Sequence, residues 1–236
     1  MLDRVRQPRS TLGRGRSLPR HLHADAYATL VLEGGYEEAG EAGRWRVRPG
    51  EVLFHAPFSI HRNQSLERGA RLVNLPIGFA GGPSSCGTVT DPDRIVRLAE
   101  SDPIAAAQCL CESLSEEIPP LDDGPDRLAR RLTEAVPLSI ATCAAVEGVA
   151  RQTIFRGFRA LYGVSPTRYR VEARARRAWG LIMTGSDSLA EIALIAGFAD
   201  QAHMSRDIKA LTGRTPGMWA ATAYLHHSFK AGTPRA

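Results

Sequence analysis

Hydrophobic positions in the back half of the chain recur with the spacing of amphipathic helices. In the segment Gly197–Pro216, Met204, Ile208 and Leu211 recur at i, i+4 and i+7 and form one apolar stripe. The opposite face carries hydrogen-bonding side chains, two of them cationic: Gln201, Ser205, Arg206 and Lys209. Solubility alone would suit Glu as well as Arg there, so the pattern leaves open whether this face is only solvated or contacts a partner.

The front part of the chain alternates with the period of β-strands. Arg44–Arg48 places Trp45 and Val47 on one face and arginines on the other. Further strand predictions are Ala28–Leu32, Val52–His55 and Arg71–Ile77, punctuated by Gly34-Gly35 and Pro49-Gly50. A loop at Gly78–Gly87 precedes a helical pattern over Pro92–Glu117, and the pattern is helical from Asp126 almost to the end. These patterns predict an α+β multidomain chain.

The back half contains an internal repeat. The segment Gly148–Pro166 resembles Gly197–Pro216, at an offset of 49 residues before the turn glycines and 50 after them. The matched pairs include Ser139/Ser188, Ala144/Ala193, Gly148/Gly197, Ile154/Met204, Arg156/Arg206, Phe158/Ile208, Leu161/Leu211, Gly163/Gly213 and Pro166/Pro216. So many matches in step indicate two copies of one structural unit.

Each copy carries the signals of a helix, a glycine turn and a second helix. Ser139 and Ser188 are good N-caps, and Ser188 forms a capping box with Glu191. The second helix of such a unit lies in the DNA major groove, where Arg pairs with guanine, Gln with adenine, and Phe or Ala with a thymine methyl. The predicted base-facing stripes are Gln152, Phe155, Arg156 and Arg159 in the first copy, and Gln201, Ala202, Ser205, Arg206 and Lys209 in the second.

A basic helix is predicted between the two copies, over Pro166–Gly185. About 18 helical residues span ~27 Å, against ~34 Å between successive major grooves on one face of DNA. Two reading helices one turn apart are therefore expected. Phosphate contacts are favoured over simple solvation for its arginines, Arg168, Arg170, Arg174, Arg176 and Arg177, with Arg174 among the predicted DNA-binding residues.

The charge distribution fits this prediction. The net charge of +5 conceals 14 Arg against 18 acidic residues (net −4) in residues 1–126, and a net +9 in residues 127–236. A basic half suits a polyanion such as nucleic acid, although charge alone is equally compatible with a basic soluble domain. Four cysteines are few for 236 residues and are interpreted as reduced thiols of a cytoplasmic protein. No apolar run approaches the ~20 residues that span a membrane.

Two segments of the back half resemble the AraC/XylS family of bacterial transcription regulators. They are Pro137–Tyr169 and Ser188–Trp219, and the second is similar to the family pattern A-E-I-A…G-F-S-D-Q-S-H-F-S-R-x-F-K…G-x-T-P. The resemblance covers roughly residues 126–221 and implies sequence-specific binding of double-stranded DNA by two helix-turn-helix units. The chain departs from the pattern at Ala150 and Ala199, usually a capping Ser, at Ile208, usually Phe, and at Phe155, usually polar. Phe155 is expected either at a thymine methyl or folded back onto the domain.

The front half resembles a small cupin barrel. Pro19–Tyr36 supplies H-x-H with His21 and His23, and Arg48–Asn63 supplies a P-G…P-x-x-x-H motif that ends at His61. Residues two apart in a strand face the same side, so these imidazoles could converge and hold Zn²⁺ or another divalent metal. The Glu that enzymatic cupins place after H-x-H is missing, so no cofactor is expected and a metal is the less favoured alternative. Two alternatives remain without a metal: a pocket for a small-molecule effector, lined by His21, His23, Trp45, His55 and His61, or histidines that simply satisfy hydrogen bonds in a core.

The predicted organisation has five parts: a flexible Arg-rich arm (1–19), a cupin-like sensor or dimerisation domain (20–79), a helical linker (80–125), an all-α DNA-binding domain (126–221) and a tail (222–236). The predicted function is a sequence-specific transcriptional regulator rather than an enzyme. A homodimer is expected, with RNA polymerase as a candidate partner and no membrane contact. The alternatives are a metal-dependent cupin enzyme with a helical appendage, and a non-specific architectural DNA binder. The polar variety of the stripes disfavours the latter, which would need only Lys and Arg.

Overall fold

The structure is a computed structural model that describes residues 9–78, 85–134, 138–185 and 187–231, with side chains up to residue 224. These residues form two compact units. The first, called here the sheet unit, contains the described residues up to Arg130 together with Ile140–Ser165. The second, the helical unit, contains the described residues of Arg131–Ser139 and those from Pro166 onward. An antiparallel sheet followed by helices confirms the predicted α+β class.

The sheet contains eight antiparallel strands in the described part of the chain. They are β1 (Arg9–Leu12), β2 (Ser17–Leu22), β3 (Tyr27–Gly40), β4 (Gly43–Val47), β5 (Glu51–His55), β6 (Ile60–Pro76), β7 (Cys86–Val89) and β8 (Leu114–Ile118). Their order is β1-β6-β3-β5-β7-β8, and β2 and β4 pair with β6 and β3. The strands predicted at Ala28–Leu32, Val52–His55 and Arg71–Ile77 lie within or largely within β3, β5 and β6, which confirms them.

The two longest strands, β3 and β6, bend where they cross each other. Their pairing shifts register between Gly34 and Tyr36, and Gly34 has φ +68°. A Cβ atom on Gly34 would lie 1.9 Å from the carbonyl oxygen of Gly69, so only glycine fits this crossing. Gly34-Gly35 therefore bends one continuous strand, and the predicted break between strands at this pair is wrong.

The N-terminal segment differs from the predicted flexible arm. Arg9–Leu12 forms β1 and pairs with β6, and β2 begins at Ser17. Leu12 is buried in the sheet core, and Asn74 donates a hydrogen bond from Nδ2 to Ser10 Oγ at 3.0 Å. The burial of Leu12 and the backbone hydrogen bonds between β1 and β6 thus order a segment whose arginines suggested disorder. Residues 1–8 of the predicted arm lie outside the described residues.

The helix predicted over Pro92–Glu117 is wrong as a single element. The structure has α1 (Pro92–Ser101), α2 (Pro103–Glu112) and then strand β8. Asp102 ends α1 because it precedes a proline, and its side chain caps α2 by accepting from the N–H groups of Ile104 and Ala105. Leu110 and Leu114 suggested continued helical spacing, but the chain turns at Ser113 and pairs with β7 instead. The predicted helical linker over 80–125 thus contributes β7 and β8 to the sheet.

The core of the sheet unit lies between one face of the sheet and the pair α1 and α2. Leu30 and Val73 of the sheet pack in one cluster with Ile95 and Leu110 of the helices, all fully buried. This burial fixes the register of the long strands, since a shift by one residue would turn their apolar side chains to solvent.

The remaining helices are α3 (Gly124–Thr133), α4 (Ile140–Val146), α5 (Arg151–Tyr162), α6 (Pro166–Thr184), α7 (Leu189–Ile195), α8 (Gln201–Thr212) and α9 (Pro216–Ala231). Ala178 and Ile182 of α6 pack against Ile192, Met204 and Ile208 in the core of the helical unit. The tail predicted from residue 222 is instead the second half of α9, and residues 232–236 lie outside the described part. Among the described residues, every helix is too short or too polar to cross a lipid bilayer.

Candidate nucleic-acid interface

The first helix-turn-helix unit consists of α4, a turn at Gly148 and α5. Gly148 has φ +66°, the left-handed conformation that glycine adopts without strain. On α5, Ile154, Phe158 and Tyr162 are buried, whereas Leu161, predicted to face the core, is half-buried. The spacing i, i+4, i+8 of the buried residues leaves the opposite face of α5 open.

The open face of α5 carries the four residues predicted to contact bases. Gln152, Arg156 and Arg159 are exposed, and Phe155 is half-buried. Within the described part of the chain, Arg156 has no ion-pair or hydrogen-bond partner, so its guanidinium is available to a ligand. Phe155 lines an open surface depression together with Arg151, Gln152 and Arg156, so its ring shares the surface of the polar side chains.

The second helix-turn-helix unit consists of α7, a turn at Gly197 and α8. The predicted capping box is present, with Glu191 N donating to Ser188 Oγ and Ser188 N donating to Glu191 Oε2. Asp200 caps α8 by accepting from the N–H of His203 at 2.6 Å. Ala150 offers no such bond to α5. The two copies thus differ at the N-terminus of the second helix, where DNA-binding helices approach bases.

The open face of α8 carries the residues of the second predicted stripe. Gln201, Ala202, Arg206 and Lys209 are exposed. Ser205 is half-buried, and its hydroxyl donates to the carbonyl of Gln201 at 2.8 Å, which turns it back onto its own helix. Arg206 has no partner among the described residues and matches Arg156 of the first copy.

The arginines of α6 form more contacts with the protein itself than the sequence predicts. Arg174 donates to Asp207 Oδ2 and to the Gly197 carbonyl, both at 3.3 Å, and stacks 4.2 Å above the ring of Phe198. Burial lowers the pKa of Arg176 to about 10 and also lowers the pKa of Arg177. Arg168 is exposed and donates to Glu172 Oε1 at 2.9 Å. The phosphate contact assigned to Arg174 stays a prediction, and it would have to share the guanidinium with these internal bonds.

In the sheet unit, four histidines pack together, as the effector-pocket prediction requires. Ring centroids lie 4.5 Å apart for His21 and His61, 5.2 Å for His23 and His61, and 4.9 Å for His55 and His61. Burial lowers the pKa of His61 well below its ordinary value, and the other three histidines add to this effect. His61 is therefore a neutral imidazole at physiological pH.

Trp45, the fifth predicted pocket residue, lies elsewhere. Its indole packs in an apolar cluster with Leu12, Val31 and Tyr36 and donates from Nε1 to the Ile118 carbonyl at 3.1 Å. No ring contact joins it to a histidine within the described ranges. Its alternation in Arg44–Arg48 indicated burial correctly, but not which part of the interior it occupies.

The cupin-type metal triad fits only in part. The ligand atoms of His21, His23 and His61 lie within 4.8 Å of one another. However, His21 Nδ1 already lies 2.8 Å from the Pro19 carbonyl, and Tyr27 stands where a carboxylate is expected, its hydroxyl 3.3 Å from His61 Nε2. This set therefore offers three imidazoles and no acid.

A carboxylate that is absent from the predicted pocket residues approaches the histidines from another strand. Glu38 of β3 is buried, with Oε1 2.9 Å from His55 Nε2 and 3.4 Å from His61 Nδ1. The signal was available in GGYEEAG, where Tyr36 and Glu38 share the side of the strand opposite to Glu37. The alternation of side chains along this strand predicts that one of the two consecutive glutamates faces the interior of the sheet unit.

A buried ionic network connects the sheet with α3 and α5. Arg44 Nε and Nη2 donate to the two carboxylate oxygens of Asp126, both at 2.9 Å, and Nη1 donates to Glu37 Oε1 at 2.9 Å. Asp123 also pairs with Arg44, and Tyr162 of α5 donates to Asp126 Oδ1 at 2.8 Å. Burial opposes charge on both members of the central pair, but the hydrogen bonds outweigh it and raise the pKa of Arg44 and lower that of Asp126.

Two further arginines of the sheet hold the last turn of α5. Arg62 Nη1 donates to the carbonyls of Ala160 at 2.7 Å and Leu161 at 3.3 Å, and Arg20 Nη1 lies 3.4 Å from the carbonyl of Tyr162. Cations at a helix C-terminus satisfy carbonyls that have no intrahelical partner and complement the helix dipole. Arg20 precedes His21 and Arg62 follows His61, so the two strands that contact the first predicted reading helix also carry two of the four clustered histidines.

Comparison with known proteins supplies the family. The profile of a helix-turn-helix domain matches residues 143–222, which include α5, α6 and α8. A transcriptional regulator with an AraC-type DNA-binding domain from Chromobacterium violaceum is 32% identical over 39% of this chain and 91% of its own, with a TM-score of 0.36. The chain belongs to the AraC family of transcriptional regulators.

Two further relatives of this AraC-type regulator are more distant. The DNA-binding domain of AdpA, in complex with a target DNA, is 23% identical over 44% of this chain and 96% of its own, with a TM-score of 0.41. ToxT from Vibrio cholerae, with a bound unsaturated fatty acid, is 13% identical over 90% of this chain and 93% of its own, also at 0.41. The family assignment rests on the helix-turn-helix profile and the 32% identity. No curated protein matches the chain significantly.

Proposed function

We propose that this AraC-type regulator reads two successive major grooves of double-stranded DNA, one with α5 and one with α8. The observation that carries the proposal is the matched pair Arg156 and Arg206, exposed at the same position of each repeat and without an internal partner among the described residues. An arginine at such a position pairs with guanine through two hydrogen bonds. Gln152, one turn before Arg156, and Gln201, the first residue of α8, suit adenine.

We also propose that a small-molecule effector acts through the sheet unit on the first reading helix. The support is the set of hydrogen bonds between the sheet and α5. Arg62 and Arg20 donate to carbonyls of its last turn, and Arg44 is linked to Tyr162 through Asp126. A ligand that shifts the strands carrying His21 or His61 would move the arginines beside them. Because Arg62 bonds backbone carbonyls of α5, such a shift would change the position or order of that helix.

The other partners stay proposals. A second copy of the chain would place two further reading helices on DNA, and RNA polymerase is the partner through which a regulator changes transcription. The regulator would act in the cytoplasm, with the chromosome. The sheet unit serves as sensor in this proposal, and no catalytic step is assigned to its histidines.

Selection of bound sequences from a random pool of double-stranded DNA tests the proposal. The full chain should enrich a motif with two short blocks whose centres are about one helical turn, ~10 base pairs, apart. Recovery of unenriched DNA at low salt, with affinity that depends only on ionic strength, would leave phosphate binding alone and reject base reading.

A further inference from the structure

The sheet unit contains a second set of metal-ligand side chains, which shares only His61 with the H-x-H triad. Glu38, His55 and His61 come from three neighbouring strands, β3, β5 and β6, and are each 5% exposed or less. The facing atoms are Glu38 Oε1, His55 Nε2 and His61 Nδ1. All three ligand atoms lie within 4.8 Å of one another.

The spacing of these atoms suits a metal. Zn²⁺ binds nitrogen and oxygen ligands at roughly 2.0–2.2 Å, so tetrahedral ligand atoms lie about 3.3 Å apart and octahedral neighbours about 2.9 Å. The carboxylate oxygen lies 2.9 Å from the His55 nitrogen and 3.4 Å from the His61 nitrogen. Two of the three separations therefore already match those between ligands of one ion, and the third is no more than 4.8 Å.

The atoms behind the ligands resemble the outer shell of a metal site. His61 Nε2 lies 3.3 Å from the Tyr27 hydroxyl, which fixes the ring while Nδ1 faces Glu38. With the Asn63 amide oriented to satisfy its neighbours, its nitrogen donates to Glu38 Oε2 at 3.3 Å. Metal-binding imidazoles and carboxylates are commonly oriented by such second hydrogen bonds.

The burial of Glu38 also needs an explanation. A buried carboxylate is costly unless a positive charge or several hydrogen bonds compensate it. The two nearby arginines, Arg44 and Arg46, pair with the neighbouring Glu37 and not with Glu38. Two imidazoles face Glu38 Oε1, and His55 Nδ1, on the far side of its ring, is buried without a hydrogen bond in the described part of the chain. A divalent cation would supply the missing charge.

We propose that Glu38, His55 and His61 bind one divalent first-row transition-metal ion, with Zn²⁺ as its representative. Two imidazoles and one carboxylate leave coordination positions open, so a small anionic or chelating effector could complete the shell. The site does not depend on DNA reading by α5 and α8.

Titration of the full chain with Zn²⁺, after treatment with a chelator, tests the site. We expect one Zn²⁺ per chain. Glu38→Gln and His55→Gln should each weaken binding by at least about 100-fold, since even outer-shell changes cost roughly 10–100-fold. His203→Gln, in the helical unit, is the matched control and should change affinity by less than about threefold. His21→Gln should weaken binding less than Glu38→Gln or His55→Gln, and the reverse ranking would overturn the proposal and move the ion to the H-x-H set.

The wild-type chain gives a readout that does not rely on buried variants folding. Co²⁺ bound at the proposed site should give ligand-field bands without thiolate charge-transfer absorption. X-ray absorption of the Zn²⁺ form should require only nitrogen and oxygen ligands, two of them imidazoles. Three imidazoles, a sulfur ligand, or no stoichiometric uptake of either ion would each contradict the site. In the last case Glu38 would serve only as a hydrogen-bond acceptor for the histidines.

Discussion

At the scale of single residues, Arg44 is a buried cation at the centre of an ionic network in the sheet unit. It is 6% exposed and faces three carboxylates, those of Glu37, Asp123 and Asp126. The alternation in RWRVR predicts that Arg44 and Arg46 both face outward, yet only Arg46 is exposed. Burial of Arg44 depends on Asp126, 82 residues away, and strand periodicity contains no information about so distant a partner.

Replacing Arg44 should destabilise the sheet unit strongly. Arg44→Met keeps much of the volume but leaves Asp126 buried without its cation, which typically costs about 3–5 kcal/mol. Arg46→Met removes the same charge two residues away, where the side chain is half exposed and, among the described residues, pairs with Glu37 alone, at 3.3 Å. It should cost less than about 1 kcal/mol. Denaturant unfolding of both variants measures the difference, and equal costs would refute the structural role of Arg44.

The same network predicts how stability depends on pH. Hydrogen bonds from Arg44 and Tyr162 lower the pKa of Asp126 below its ordinary value of 3.8 despite burial. An acid with a depressed folded pKa contributes stability above its unfolded pKa and loses it as pH falls through the folded value. The gap in unfolding free energy between the wild type and Asp126→Asn should thus be constant above about pH 5 and narrow below about pH 4. Unfolding across this range checks it, and a gap that widens in acid would contradict the assignment.

At the scale of elements, the two copies of the repeat differ most at the start of their reading helices. Asp200 caps α8, whereas Ala150 gives α5 no side-chain cap. The sequence predicted the repeat because turn glycines are local signals, but it placed an uncapped alanine, Ala150 or Ala199, at the start of both helices and so missed the cap that Asp200 provides. It failed over Pro92–Glu117, where Leu110 and Leu114 keep helical spacing although β8 is held by pairing with β7. Strand pairing across the sheet cannot be read from spacing alone.

The missing cap of α5 predicts a stabilising substitution. Ala150→Ser should add about 1 kcal/mol to the local stability of α5, and Asp200→Ala should remove a similar amount from α8. About 1 kcal/mol corresponds to roughly a fivefold change in amide hydrogen exchange. Exchange should slow in the first turn of α5 for the former variant and accelerate in the first turn of α8 for the latter. Unchanged exchange in α5 would mean that Ala150 is not the position that limits it.

At the scale of the whole molecule, the sheet and the first helix-turn-helix copy share one compact unit. The sequence predicted a boundary near residue 126, from the change in periodicity and charge, and this boundary stays a prediction. What it could not indicate is the hold of Arg62 on the carbonyl of Ala160, a contact between residues 98 apart. Long-range contacts between a side chain and a backbone carbonyl leave no periodic trace in the sequence.

Loss of this hold should loosen one reading helix and leave the other unchanged. Arg62→Ala removes two hydrogen bonds to the last turn of α5 and should raise amide exchange there several-fold, since bonds from charged groups contribute about 1.5–3 kcal/mol before solvent screening. Arg68→Ala, exposed on the same strand, is the control and should have no effect. Exchange in α8 provides an internal reference. A uniform rise in both helices would indicate global destabilisation instead.

The central claim, that α5 and α8 each read their own bases, is tested most directly by repeating the random-pool selection with Arg156→Ala and Arg206→Ala. Each variant should lose preference at one position in one block of the motif, keep the other block, and bind the wild-type site about 1–3 kcal/mol more weakly. Arg97→Ala, exposed on α1 and equal in charge change, should keep the whole motif. An unchanged motif in both variants, with equal loss of affinity on all sequences, would contradict the claim and leave these arginines as phosphate contacts.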